Sequence, residues 1–271
     1  MTLTRSQVVG LLDRHGLRPS RALGQNFVAD PNTVRRIVRL AGIGPGDHVV
    51  EIGAGLGSLT TALAEAGARL TAVEIDRHLL PVLREVVAGT DVTVVEGDAL
   101  RLDWRGLLGD RAHTLVANLP YNVATPLVAD LLDGVPAITS MLVMVQREVG
   151  ERLAAAPGDP AYGAVSVKVA YWARAAVVAA VPATVFVPRP NVESVLVRID
   201  RRDRPAVAVP PDRLFPLVRA GFAHRRKMLR GALAGLVDDA GFAAAGVAPT
   251  ARAEQLDVVA WGRLAAVPVT A

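Results

Sequence analysis

The feature that most constrains this chain is a run of glycines at the end of its first strong strand pattern. His48–Gly53 reads as a buried strand leaving the turn Gly44-Pro45-Gly46-Asp47, and it runs straight into Glu51-Ile52-Gly53-Ala54-Gly55-Leu56-Gly57-Ser58. Glycines at 53, 55 and 57 let the backbone turn tightly and come close to a ligand at the carboxyl edge of a sheet. Helical spacing over Ser58–Ala66 follows. Then come a strand at Arg69–Ile75, a helix at Arg77–Val87, strands at Val92–Glu96 and Thr114–Ala117, a helix at Thr125–Leu132 and a strand at Ile138–Val145. Strands alternating with helices at this spacing predict an α/β fold with a parallel, doubly wound sheet.

The pattern changes after Arg147. A helix is expected over Arg147–Ala155, a loop over 157–160 and a helix over Ala164–Trp172. Ala175–Val181 and Ser194–Ile199 read as strands that close the sheet as an antiparallel pair, with the proline-rich Phe186–Pro190 between them. Asp200–Asp212, charged and then proline-rich, reads as a linker, and Arg213–Leu236 and Ala253–Leu264 have helical spacing. The expected division is therefore a catalytic α/β domain at 1–200 and a small helical domain at 201–271.

Charge is unevenly spread. Residues 1–40 hold seven arginines against Asp13 and Asp30, and residues 201–230 hold nine basic residues against Asp203 and Asp212. Basic ends around a more acidic middle suit a polyanion partner, although solvated helix faces give the same count. The chain has no cysteine, which excludes disulfides and thiolate metal sites, and its five histidines are scattered, so no metal is expected. The longest apolar run, Ala175–Val187, is too short for a bilayer and is broken by Pro182. The N-terminus has no apolar signal core, so a cytoplasmic, membrane-free monomer is expected.

Three successive strand ends carry a ligand pattern. The glycine turn lacks the third glycine of the dinucleotide fingerprint, since position 58 is Ser58. Glu74 ends the second strand, where a carboxylate can accept both hydroxyls of a ribose. Asp98 follows the third strand, where it can accept from an adenine amino group. Each acid alone could be a solvated strand end or a helix cap. Together with Gly53 they fit an adenosine ligand without a pyrophosphate, for which S-adenosylmethionine is the candidate, and a nicotinamide oxidoreductase fails on Ser58 and on the absence of a proton relay.

The fourth strand ends in Asn118-Leu119-Pro120-Tyr121. An exocyclic adenine amine is a poor nucleophile because its lone pair is delocalised into the ring. The Asn118 side-chain oxygen and the Leu119 carbonyl can both accept from that amine and hold it for methyl transfer. Tyr121 can stack on a base that has left its helix.

With these motifs the chain resembles the ribosomal RNA adenine N6-dimethyltransferases, and among them the group acting on bacterial small-subunit (16S) RNA. The resemblance covers nearly the whole length. It includes Leu23-Gly24-Gln25-Asn26-Phe27, Glu51–Thr60, Tyr162-Gly163 with Ser166-Val167, Phe186–Ser194, Phe222–Leu229 and Arg252–Leu256. It implies a Rossmann-like S-adenosylmethionine-dependent domain followed by a small helical RNA-binding domain. It also implies cofactor contacts from Asn26, the Val28 backbone, Gly53, Glu74, Asp98 and Asn118, with Tyr121 and Phe186 flanking the target base. The implied reaction places two methyls on each of two adjacent adenosines in the 3′-terminal hairpin loop of 16S RNA, with the immature 30S subunit as partner. Ala54, Ala124, Val28 and His224 depart from the usual pattern, and only Ala124 is near the chemistry. Two other readings stay open. One is the sister group that methylates large-subunit (23S) RNA and confers macrolide resistance, and the other is a protein serving mainly as a ribosome-assembly checkpoint.

Overall fold

A computed structural model of the protein describes residues 2–120, 123–224 and 226–267. The chain divides into two compact units, Met1–Gly150 with Ala176–Asp200 and Glu151–Ala175 with Arg201–Ala271. The expected boundary at residue 200 is thus one of three crossings, because residues 151–175 leave the α/β unit and join the helical one.

The first unit is built on a seven-stranded sheet. Its strands are β2 (His48–Ile52), β3 (Arg69–Glu74), β4 (Val92–Glu96), β5 (His113–Asn118), β6 (Ile138–Gln146), β7 (Ala173–Val181, its first residues belonging to the second unit) and β9 (Ser194–Arg201). The spatial order is β4-β3-β2-β5-β6-β9-β7. The pairs β2–β3, β3–β4, β2–β5 and β5–β6 are parallel, and β9 runs antiparallel to β6 with Ser194 opposite Gln146 and Asp200 opposite Ser140. This is a Rossmann-like sheet with an antiparallel addition. Strand order reverses between β2 and β5, so the crevice above their carboxyl ends is the expected ligand position.

Helices α3 (Ser58–Glu65), α4 (Leu80–Val86), α5 (Trp104–Leu108), α6 (Ala124–Gly134) and α7 (Arg147–Ala154) connect the strands. Two further helices precede the sheet. In α1 (Arg5–Arg14), Thr4 and Gln7 close a capping box. In α2 (Pro31–Ala41), Asp30 caps the Thr33 N–H, Pro31 starts the first turn, and Gly42 ends the helix in the left-handed region at φ 72°. Between them lies β1 (Phe27–Val28), paired antiparallel with β8 (Phe186–Val187) as a two-stranded ribbon. The apolar face of α1 (Val8, Leu11, Leu12) packs with Phe27, Leu56, Leu79 and Val82.

In the second unit, α8 (Ala164–Trp172), α9 (Pro211–Ala223), α10 (Leu229–Ala232), α11 (Asp239–Ala245) and α12 (Val258–Ala266) surround one core. Tyr162, Val167 and Tyr171 are buried there against Leu214, Phe215, Phe242 and Trp261. These large apolar residues explain why 151–175 belongs to this unit. The helix expected over Arg213–Leu236 is instead broken. Helix α9 ends at Ala223, and α10 is a separate turn held by the buried Leu229 and Leu233. Gly231 and Gly235 lower helix propensity where continuation was expected. Among the described residues no helix is long and apolar enough to cross a membrane.

The Tyr162 hydroxyl donates to the Leu256 carbonyl at 2.8 Å inside this core. Tyr162→Phe keeps the ring and strands a buried carbonyl, so it should cost about 1–2 kcal/mol in urea unfolding; an unchanged midpoint would show that the bond contributes nothing net.

Candidate functional site

Parallel pairing of β2 with β5 matches Val49 with Thr114 and Val50 with Leu115. Carried upward, this register sets Gly53 beside Asn118. A Cβ on Gly53 would stand 3.7 Å from both the Asn118 carbonyl oxygen and the Pro120 ring, and the residue has φ 74°. Gly55 (φ 59°) is tighter, since a Cβ there would come within 3.0 Å of the Phe27 ring. The glycine turn is therefore demanded by backbone angle and by close packing together.

Two carboxylates lie beneath this turn. Glu74, at the end of β3 and only 4% exposed, accepts the Gly55 N–H through Oε2 at 2.7 Å and the Asp76 N–H through Oε1 at 2.8 Å. Each carboxylate oxygen offers two lone pairs, so these bonds orient Glu74 without exhausting it as an acceptor. Burial pushes its carboxyl above the ordinary value, and the two backbone N–H groups oppose that shift. Glu51, at the end of β2, is 2% exposed, and its Oε2 has no hydrogen-bond partner. Burial raises its carboxyl to about 8, with the negative charge of Glu74 acting in the same direction. Ser58 Oγ, also buried without a partner, faces the same cleft.

The roof is the segment Leu23–Val28. Gln25 latches it by donating to Asp76 Oδ2 at 2.7 Å while accepting the Ser20 N–H at 2.7 Å. Asn26 donates to the Gly24 carbonyl at 3.1 Å, and its own carbonyl accepts from Asn118 Nδ2 at 2.9 Å. That last bond fixes which way the Asn118 amide points, with its nitrogen on Asn26 and its Oδ1 as the acceptor. Leu119 is buried and donates its N–H to the Met144 carbonyl on β6 at 3.0 Å.

The structure gathers Asn26, Val28, Gly53, Glu74, Asn118 and Leu119 around one cleft. Asp98 lines an adjoining lobe, and Leu23, Gly53, Ile75 and Pro120 border both. Asp98 is half-buried, with Oδ1 accepting the Leu100 N–H at 3.0 Å. Tyr121 lies outside the described residues. Phe186 is 0% exposed and packs with Val28, Val34 and Ile37. Its pairing with Val28 joins β8 to β1 and so to the roof of the cleft. Glu51 is the pocket residue that sequence reasoning missed. Its signal was a carboxylate between Val49, Val50 and Ile52 in a buried strand.

The pH behaviour of Glu51 can be tested. Its folded value of about 8 lies above the ordinary 4.5, so the folded state holds a proton that the unfolded state has released. Its contribution to stability is then unpenalised below the unfolded value and is lost as pH rises from there toward 8. Glu51→Gln should flatten this part of the ligand-free pH–stability curve and raise the melting temperature more at pH 8 than at pH 5. Equal shifts at both pH values would mean that Glu51 is ionised throughout.

Comparison with known proteins agrees with this architecture. The family described as ribosomal RNA adenine dimethylase matches residues 17–267. Ribosomal RNA small subunit methyltransferase A of Kineococcus radiotolerans is 48% identical, covering 97% of this chain and 91% of the relative. The protein of the same description from Thermobifida fusca is 47% identical, covering 97% and 95%. Among solved structures, a dimethyladenosine transferase from Plasmodium falciparum superposes with TM-score 0.72 at 23% identity over 88% of this chain and 95% of that one. The 23S rRNA methyltransferase ErmE superposes with TM-score 0.70 at 27% identity over 89% and 98%. The match of the family over nearly the whole length, on a sheet whose switch point carries these residues, establishes that the chain belongs to the ribosomal RNA adenine dimethylases.

Proposed function

We propose that the protein transfers methyl groups from S-adenosylmethionine to the N6 amine of two adjacent adenosines in the 3′-terminal hairpin loop of small-subunit (16S) RNA, dimethylating each. The observation that carries this is the fixed Asn118 amide, whose nitrogen is held by Asn26 so that its oxygen is the acceptor at the carboxyl edge of β5. Several near-full-length relatives at 47–48% identity described as small subunit methyltransferase A favour the small-subunit target over the 23S type, to which the likeness is 27%.

The residues present suit the cofactor. Gly53 and Gly55 leave the backbone bare where a ligand must approach, and Glu74 supplies an oriented acceptor for ribose hydroxyls. Asp98 in the adjoining lobe is placed to accept from an adenine amino group. The orphaned Glu51 Oε2 is a buried anion or acceptor that a cationic amino group would satisfy. When bound, S-adenosylmethionine supplies an activated, electrophilic methyl group.

The chain's own part is to present the amine. Asn118 Oδ1 and the Leu119 carbonyl accept its two N–H bonds, which draws the lone pair out of conjugation and aims it. Pro120 stiffens the turn, and Tyr121 stacks on the extruded base. The amine becomes acidic as it gains the methyl, so a strong base is not required. The immature small subunit is the partner in this reading, and the cell compartment is the cytoplasm. The basic N-terminal segment and the helical unit supply phosphate contacts.

Small-subunit RNA from a deletion strain should lack N6-dimethyladenosine by mass spectrometry. Wild-type protein should restore it and Asn118→Ala should not, with turnover down about 10²–10³-fold. Appearance of the modification in 23S RNA alone would sink the small-subunit assignment. Glu74→Gln should weaken retention of labelled S-adenosylmethionine by about tenfold or more, and unchanged retention would remove Glu74 from the cofactor site.

A further inference from the structure

The roof of the cleft is a segment that keeps its own shape. The Gln25 N–H donates to the Ser20 carbonyl at 3.1 Å, the Gly24 N–H to the Arg21 carbonyl at 3.1 Å and the Leu23 N–H to Ser20 Oγ at 3.3 Å. The Gln25 side chain joins in through Oε1, which accepts the Ser20 N–H. That bond settles the orientation of the amide and leaves its nitrogen to donate outward to Asp76 Oδ2 at 2.7 Å. Asp76 is itself fixed. Its Oδ1 accepts the His78 N–H at 3.0 Å, and its own N–H is the donor to Glu74 Oε1 at 2.8 Å. The loop that orients Glu74 is therefore the loop that the roof grips.

Two bonds tie the roof to the sheet, and they fall on opposite sides of the glycine turn. In the sheet, β2 lies between β3 and β5. Gln25 reaches the loop after β3, and the Asn26 carbonyl accepts from Asn118 at the end of β5. Two neighbouring residues are thus pinned astride the end of β2, where Gly53 and Gly55 leave the backbone bare. Gln25, Asn26, Gly53, Gly55 and Glu74 line one cleft, so a ligand seated on the glycine turn lies between the pins and beneath the roof. The pins are anchored differently. Asn26 runs directly into β1, whose pairing with β8 holds its backbone. Gln25 grips with a half-buried side chain, through a charge-assisted bond that water can replace.

We propose that Gln25 and Asp76 are positioning residues that latch the roof over S-adenosylmethionine and retain it, with Glu74 held in place by the same contact. This rests on the reading of the cleft as the cofactor site. Neither side chain has to touch the reacting atoms. Opening the latch frees the β3 side of the roof, while the Asn26 pin keeps Asn118 in position. The cofactor then exchanges without dismantling the amide that presents the amine. The latch sets how long the cofactor stays, and methyl transfer is left to Asn118 and Leu119.

The test is a polarity swap, read as the dissociation rate of labelled S-adenosylmethionine. In Asp76→Asn the side-chain oxygen stays on the His78 N–H and an amide NH2 faces that of Gln25, donor against donor. In Gln25→Glu the bond to Ser20 stays and two carboxylates face each other. Each single variant should release the cofactor about tenfold faster. Gln25→Glu/Asp76→Asn restores the bond with its polarity reversed and the total charge of the pair unchanged. It should bring dissociation back to within about threefold of wild type. Gln25→Ala, which brings in no repelling charge, should match the Gln25→Glu rate and replaces it where ligand-free melting shows that variant unfolded. Wild-type dissociation from either single variant overturns the latch. So does a swap as fast as the singles, the result expected if Gln25 touches the cofactor directly or if Asp76 acts only on Glu74. Failure of wild type to retain S-adenosylmethionine at all is a separate outcome, which removes the cofactor reading and the latch with it.

Discussion

The parallel pairing of β2 with β5 is the constraint on which the site depends. It is the one place in the sheet where neighbouring strands lead their chains to opposite sides, so the loops above them part and leave a crevice. The register then sets Gly53 beside Asn118, which joins the bare glycine turn to the Asn118 amide. The Glu74–Gly55 and Asn118–Asn26 hydrogen bonds are consequences of that register. Each ties a group at one strand end to a loop from another part of the chain. A slip of one residue would reverse every side chain of β2 and take Glu51 out of the cleft as surely as it would take Val50 out of the core.

This arrangement is costly before any ligand arrives. Glu51 and Glu74 are both buried under one turn, burial opposes the ionisation of each, and the charge of Glu74 adds to the difficulty at Glu51. Glu74 is offset by two backbone N–H donors, whereas Glu51 Oε2 has none. The difference divides their roles. A carboxylate already fixed by the backbone is a rigid acceptor for hydroxyls, and one left without a partner is completed by whatever enters the cleft.

What the sequence made legible follows from the range of the interactions involved. The glycine turn, Glu74, Asp98 and Asn118 sit at strand ends, and alternation of strands with helices is a local signal, so the sheet and its carboxyl edge could be read directly. The caps of α1 and α2 are equally local, in Thr4-x-x-Gln7 and in Asp30-Pro31 with Gly42. The burial of Phe186 was not legible, because its neighbours Pro188 and Pro190 look like an exposed loop and its partner Val28 lies far away in the chain. Residues 151–175 were assigned to the wrong unit because the partners of Tyr162 and Tyr171 lie beyond residue 201. No periodicity within a helix reveals which core its apolar face will choose.

Parallel strands all end on one side, so the groups that meet at the carboxyl edge are brought there by register and not by nearness in the chain. Glu51, Glu74 and Asp98 come from the ends of three different strands, and the first two are buried while Asp98 is half-buried. An enzyme that must hold a reluctant nucleophile beside a cationic methyl donor needs carboxylates near the chemistry. A parallel sheet supplies them from strands whose own hydrogen bonds keep the spacing fixed, so that the acidic groups stay in place although their burial is unfavourable.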